Sequence, residues 1–376
     1  MELRNLQNNN VGQEASRLFA RAEINMGVEA FRDSLYSLLK RNTFLNIKFE
    51  NMLDTLGEIS RTDIRSLLGE WEKTTPLPFY SLGEPTLTKI TNKGGEEFFV
   101  LKMLISNNSD YDGIIHMDIR KDGWWYQPLE DPRAKTKIEM PAHTSKEFVS
   151  VWEDQIRNVE INTMVSGNLP NIISQDINNV KQERNKIVKD SIYILPESSF
   201  DLPGEIIVDN EDSTLFILSA PPIVGLLPKW LDEVEETPFK YSGISWWRPP
   251  LQWTATTNDR YYGKYIRSAF VIKSGDGSQT ATWKVPVPEV GQYDLYYHVF
   301  KDDELRWNNN LQGEYHFKVK YGSEVEDAYV NLRKANEGWE QLGSYYFDSD
   351  TIRVVLTDEC KLRSVTADAV KIVKRY

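Results

Sequence analysis

Between Thr280 and Phe300 the chain reads TATWKVPVPEVGQYDLYYHVF, with apolar residues at alternate positions on both sides of a Gly- and Pro-marked corner. Ala281, Trp283, Val285 and Val287 share one face, and Thr282, Lys284, Pro286 and Pro288 the other. Beyond Glu289-Val290-Gly291, Tyr293, Leu295, Tyr297 and Val299 alternate with Asp294, Tyr296, His298 and Phe300. Successive side chains of a strand point to opposite faces, so the pattern predicts two antiparallel strands, each with one buried face. YHFKVKY, DAYVNL, SYYFDS, TIRVVLTD and ADAVKIVKRY continue it, which puts this stretch at the centre of a C-terminal β-sandwich. GDG at Gly275–Gly277 reads as a hairpin turn between SAFVIKS and TATWKV.

The 376 residues exceed one ordinary core and suit two or three domains. From Val11 to Trp71 the apolar spacing is helical. Phe31, Leu35, Leu38 and Leu39 form one stripe, Phe49, Met52, Leu53 and Leu56 a second, and Ile64, Leu67, Leu68 and Trp71 a third. Pro76 and Pro78 end the last of these. The period then changes to two in FFVLKMLISN, GIIHMDIR and NVEINTMVSG. Ile173, Ile177, Val180 and Ile187 fall on a helical stripe, predicting one helix near 171–190. The expected fold is multidomain and mainly β. A helical subdomain occupies 1–80, an Ig-like sandwich 83–200, and a jelly-roll-like sandwich 204–376.

A net charge of −12 opposes nucleic acid as a partner, because phosphate binding needs a basic face. No run reaches the length of a membrane span. The opening MELRNLQNNN has no signal-peptide core and reads as a cut inside a longer protein. Cys360 is the single cysteine, so no intrachain disulfide framework exists.

No catalytic centre is legible. His116, His143, His298 and His316 lack a second His three or four residues away, as H-E-x-x-H would require, and read as surface or cross-strand polar groups. G-x-S-x-G is absent, and Cys360 lies among acidic residues that oppose a thiolate. Asp209 and Asp212 in DNED offer oxygen ligands for a structural calcium ion, or simply shape a strand-end turn. No other cofactor is expected.

The irregular Pro- and Trp-rich stretch Pro221–Tyr262 carries the candidate binding site. Trp246, Trp247, Trp253, Tyr261 and Tyr262 crowd it, and Trp307 lies in KDDELRWNNN. Rings held open on loops stack on the apolar faces of sugars, with Arg248, Asn258, Asp259, Arg306 and Asn308 available for hydroxyls. The alternative is that the rings cover the core or pack on the preceding domain. Trp283 and Trp339 read as core or edge residues.

The C-terminal part resembles the golvesin/xanthan-lyase carbohydrate-binding-like domain. The resemblance rests on IIVDNED (Ile206–Asp212), YYGKY (Tyr261–Tyr265), GDGSQTATWKVPVPEVGQYDLYYHV (Gly275–Val299), GWEQLGSYYF (Gly338–Phe347) and TADAVKIV (Thr366–Val373). It implies an accessory, glycan-binding role. DIRSLLGEWEKTTPLPFY (Asp63–Tyr80) is similar to the end of the catalytic domain of aminopeptidase N-like zinc metallopeptidases, which a small sandwich follows. The zinc ligands of that family have no counterpart here.

The expected function is a non-catalytic accessory region of a larger exported bacterial protein, periplasmic or surface-located, with a carbohydrate-binding C-terminal sandwich. Its partners would be carbohydrate and adjacent domains of a parent chain. The alternative is a docking region, without a ligand of its own, for a zinc metallopeptidase domain or partner protein.

Overall fold

The computed structural model describes residues 23–24, 27–43, 48–60, 77–121, 127–164, 166–177, 179–184, 187–196, 204–219, 240–244, 248–301 and 313–375. The chain divides into two units, Met1–Phe200 and Asp201–Tyr376.

The first unit opens with helices α1 (Val28–Arg41) and α2 (Phe49–Ser60). Phe31 and Leu38 of α1 and Leu53 and Leu56 of α2 are buried, as the stripes predict. Leu39 is 56% exposed instead. It follows Leu38 by about 100° around the helix, so only one of the two can face α2. The third helical stripe and the core of the aminopeptidase-like match, residues 61–76, lie outside the described residues.

Eleven strands follow in two sheets. One runs β10 (Val180–Arg184), β2 (Thr86–Thr91), β3 (Glu97–Asn107), β7 (Thr144–Trp152) and β11 (Ser191–Pro196), with β1 (Tyr80–Leu82) also on β3. The other runs β5 (Gln127–Pro128), β4 (Gly113–Lys121), β8 (Ile156–Asn162) and β9 (Ile172–Asp176), with β6 (Lys135–Met140) also on β4. Alternate residues of both sheets, Leu101, Met103 and Ile105 from β3 against Ile115, Met117 and Ile119 from β4, close one shared core. This is a β-sandwich.

The helix expected near 171–190 is instead two strands and their connections. β9 pairs antiparallel with β8, and β10 runs parallel to β2. Ile173 and Ile177 are both buried, but a spacing of four residues also satisfies the two-residue period of a strand, so it could not decide between them. Ile187, the last member of the presumed stripe, is 91% exposed.

One buried side chain closes the loop that follows β8. Asn168, 1% exposed, accepts a hydrogen bond from the Tyr80 backbone N–H (2.9 Å) and donates to the Tyr80 carbonyl (2.8 Å). Asn168→Ala removes both of these buried bonds. It is expected to cost about 2–4 kcal/mol in chemical denaturation of the chain, since each stranded group costs about 1–3 kcal/mol. A loss below half a kilocalorie would show that water takes over both bonds.

The second unit holds twelve strands in three sheets. The four-stranded sheet is β12 (Glu205–Val208), β23 (Val370–Lys374), β17 (Gly291–Val299) and β20 (Gly338–Phe347). The five-stranded sheet is β13 (Phe216–Ser219), β16 (Thr280–Pro286), β21 (Thr351–Thr357), β18 (Glu314–Tyr321) and β19 (Glu324–Asn331). A three-stranded sheet joins β14 (Thr254–Thr257), β15 (Ser268–Lys273) and β22 (Ser364–Ala367).

Trp283, Val285, Leu295, Tyr297, Phe317, Val354 and Ile372, each fully buried, interlock between these sheets. The predicted alternation therefore holds on both sides of the corner. β16 and β17 nevertheless belong to different sheets, so the Pro- and Gly-marked corner carries the chain across the sandwich rather than making a hairpin. The same is true of GDG, because β15 and β16 are not paired. Gly275 is needed there for close approach: a Cβ on it would fall 2.1 Å from the Asp358 carboxylate.

Candidate functional site

The four-stranded sheet has an apolar inner face and a mixed outer one. Along β17, Tyr293, Leu295, Tyr297 and Val299 turn inward and are buried, while Asp294, Tyr296 and His298 turn outward. Tyr296 stands opposite Lys371 of β23 and Gln341 of β20, and His298 opposite Trp339. A bulge in β20 between Gly343 and Gln341 shifts the register and sets these pairs. Strand pairing thus gathers Tyr296, His298, Trp339 and Lys371 on one surface.

The contacts among them are specific. The Trp339 ring meets the His298 ring at 5.1 Å and 77°, and the Tyr262 ring at 5.1 Å and 58°. Tyr262 comes from the loop before β15 and lies 5.8 Å from His298. The Lys371 ammonium sits 4.8 Å from the Trp339 centroid and 5.4 Å from that of Tyr296, and pairs with Glu205 at 2.9 Å. Trp339, Tyr262 and Tyr296 are all half-buried.

Behind this surface lies a buried polar group. Asp368, wholly buried between β22 and β23, has Oδ2 2.9 Å from His298 Nδ1 and accepts the Tyr262 backbone N–H on both oxygens (3.1 and 3.2 Å). Its backbone carbonyl accepts Trp283 Nε1–H at 3.1 Å. Burial raises the Asp368 carboxyl above the ordinary range, with His298 opposing that shift. Asp209, at the end of β12, is pushed up to about 8, chiefly by burial and then by the negative field of Asp368. Beside it the Asn210 amide lies 2.7 Å from the Ser268 hydroxyl. Glu211 accepts from Ser268, from Tyr241 (3.0 Å) and from Lys240 (2.5 Å).

The expected site residues divide accordingly. Tyr262 is half-open and joins the His298–Trp339 group, and Arg248 is exposed. Tyr261 is a correction: at 2% exposure it packs on Phe300 at 4.7 Å and offers no ring face, since Phe300, just past the end of β17, is itself buried with Ala269 in a small cluster that takes in Tyr261. Trp253 is partly buried against the sandwich core, as the core-covering alternative has it. The Asn258 side chain serves its own turn, accepting from Arg260 N–H (3.0 Å), and the Asp259 backbone carbonyl accepts from the Arg267 guanidinium (2.7 Å). Trp246, Trp247, Arg306, Trp307 and Asn308 lie outside the described residues.

Asp209 and Asp212 serve different partners. Asp212 caps its own turn, accepting from Thr214 N–H (3.1 Å) and Oγ–H (2.7 Å), while Asp209 faces the buried group. Among the described residues no three His, Cys, Asp or Glu side chains are grouped as a metal centre requires. His316 is cross-strand, as expected, with Nε2 2.7 Å from Asp327 and its ring stacked on Tyr329 at 4.8 Å. Burial raises the Cys360 thiol. Among the described residues no helix is long and apolar enough to cross a membrane.

Sequence reasoning placed His298 and Trp339 correctly as cross-strand and edge residues but did not bring them together. The missing signal is register, which a bulge and a partner 70 positions away determine.

Residues 249–374 match the family model of the Golvesin C-terminal domain. Among solved structures the chain is similar to xanthan lyase from Paenibacillus, at 15% identity and a TM-score of 0.33, over 80% of this chain and 27% of that one. It is also similar to a β-glucuronidase from Bacteroides uniformis, at 12% identity and a TM-score of 0.23, over 85% and 32% respectively. The chain therefore spans about a quarter to a third of the length of these proteins. No curated protein matches the sequence.

Proposed function

We propose that this chain is a non-catalytic accessory region of a larger exported bacterial protein and that its C-terminal sandwich, from about residue 204, binds carbohydrate. The observation that carries the reading is the half-open aromatic group around Tyr262, His298 and Trp339, inside the segment that matches the Golvesin C-terminal domain. Trp246, Trp247, Trp307, Arg248 and Asn308 are further candidate ligand contacts in this reading. Rings of this kind take the C–H face of a sugar, while neighbouring polar groups take its hydroxyls. Ig-like and jelly-roll-like topologies for the two sandwiches, and an extracytoplasmic location, belong to the same proposal.

The test is retention of the full chain on a panel of immobilised glycans. Trp246→Ala and Arg248→Ala are expected to weaken retention of the glycan that binds, the Trp change by about 5- to 150-fold if a sugar stack resembles a base–aromatic stack. Retention on no member of a broad panel would count against the reading.

The docking alternative is favoured by one observation. Strand β11, an edge strand among the described residues, carries Ile192, Tyr193, Ile194 and Leu195, all exposed. An adjoining domain of the parent protein would be its occupant.

A further inference from the structure

The indole of Trp339 is held as a supported shelf. Lys371 Nζ lies over the ring, 4.8 Å from its centroid. His298 meets it close to edge-on (77°) and Tyr262 at a steep tilt (58°), each 5.1 Å away, which walls the shelf on two sides. These groups stand on the outer face of the sheet, opposite the inward Tyr297 and Val299, and Trp339 remains half-exposed on edge strand β20. Trp339 is backed by Lys371 and still partly in solvent, which leaves part of the ring open to a ligand.

His298 supplies the polar partner. Its Nδ1 is engaged by the buried Asp368 at 2.9 Å, which fixes the imidazole and leaves Nε2, on the opposite side of the ring, for an external group. The side chain is 13% exposed, enough for one hydroxyl to reach it and too little for free rotation.

The charges decide the ligand class. Lys371 is matched by Glu205 at 2.9 Å and His298 Nδ1 is engaged by Asp368, so neither of these two groups is left unpartnered to attract a carboxylate or sulfate. We propose that Trp339 is the stacking subsite for one neutral pyranose ring, with His298 Nε2 bonded to a ring hydroxyl, Asp368 positioning His298, and Tyr262 closing one side. This rests on the carbohydrate-binding reading above and adds to it a stacking subsite on the sheet face.

The test uses the full chain labelled with 5-fluorotryptophan, with the Trp339 resonance assigned from Trp339→Phe. It is titrated with neutral hexasaccharides of β-linked glucose and of mannose, and with a hexasaccharide of galacturonic acid. A neutral hexasaccharide is expected to shift the Trp339 resonance at saturation. Trp339→Ala should weaken its binding by about 5- to 150-fold, the range of one lost ring stack. His298→Gln, which keeps a hydrogen-bonding group, should weaken it less than His298→Ala does. Asp368→Asn, which keeps an acceptor for Nδ1–H, should retain binding within a few-fold.

Saturable binding that leaves the Trp339 resonance unmoved, with Trp339→Ala binding as tightly as the parent, would overturn the subsite and spare the carbohydrate reading. Binding of the galacturonic acid hexasaccharide alone would overturn the neutral class. Failure of every hexasaccharide, with the labelled protein folded, would remove both. The resonance shift is read in the unsubstituted chain, so poor folding of Trp339→Ala would not rescue the proposal.

Discussion

Trp283→Ala is expected to destabilise the C-terminal unit by about 3–5 kcal/mol, the usual cost of emptying a large buried aromatic site. Trp283 is wholly buried on β16, packs on Phe216 at 5.4 Å and Tyr297 at 6.2 Å, and donates Nε1–H to the Asp368 carbonyl at 3.1 Å. The substitution removes ring contacts from both principal sheets and leaves a buried carbonyl without its donor. Domains are stable by only about 5–15 kcal/mol, so the loss is a large fraction of the total. Denaturant titration of the full chain should show the C-terminal transition at a much lower midpoint with the N-terminal one unmoved. A loss below 1 kcal/mol would mean that Trp283 is not the centre of this core.

Asp209→Asn is expected to stabilise the same unit at alkaline pH and to remove part of its pH dependence. An unfolded aspartate releases its proton near 3.8, whereas folded Asp209 does so only at about 8. Between those values the folded state binds the extra proton, so raising the pH favours the unfolded chain. The penalty grows by up to about 1.4 kcal/mol per pH unit and levels off above the folded value. Asp368 and Glu211 face Asp209 and add to its field, and Asp368 is itself raised by burial, so it works in the same direction. Asp294, on the outer face of β17, is lowered, mainly by the Ser344 hydroxyl, and acts oppositely at the acid end. Melting of the full chain from pH 5 to 9 should therefore show a falling C-terminal midpoint, flatter and higher at pH 9 in Asp209→Asn. Equal slopes in the two proteins would show that Asp209 ionises in the fold at its ordinary pH.

Strands β16 and β17 were legible because one face of each is buried. Ala281-Trp283-Val285 and Tyr293-Leu295-Tyr297 leave no register but the observed one without exposing a core face. Which sheet each strand joins was not legible. The corners at Pro286–Gly291 and Gly275–Gly277 have turn residues suited equally to a hairpin or to a crossing between sheets. Residues 171–190 failed for a related reason, since the Ile173 and Ile177 spacing serves both periods.

At the site, crowding in sequence pointed to the loop aromatics, two of which the fold uses as packing: Tyr261 is buried and Trp253 leans on the core. Trp339 and His298 are brought together by pairing across a bulge, and their buried support, Asp368, comes from a third strand connection. No local pattern encodes that meeting.

The proposed role is carbohydrate binding without cleavage. Affinity electrophoresis through gels containing neutral or acidic polysaccharides, with released reducing ends measured on the same samples, tests it most directly. The expected result is retardation of the full chain by a neutral polysaccharide, relieved by Trp339→Ala, with no new reducing ends. Unretarded migration in every gel, or reducing ends accumulating beyond one per protein molecule, would contradict it.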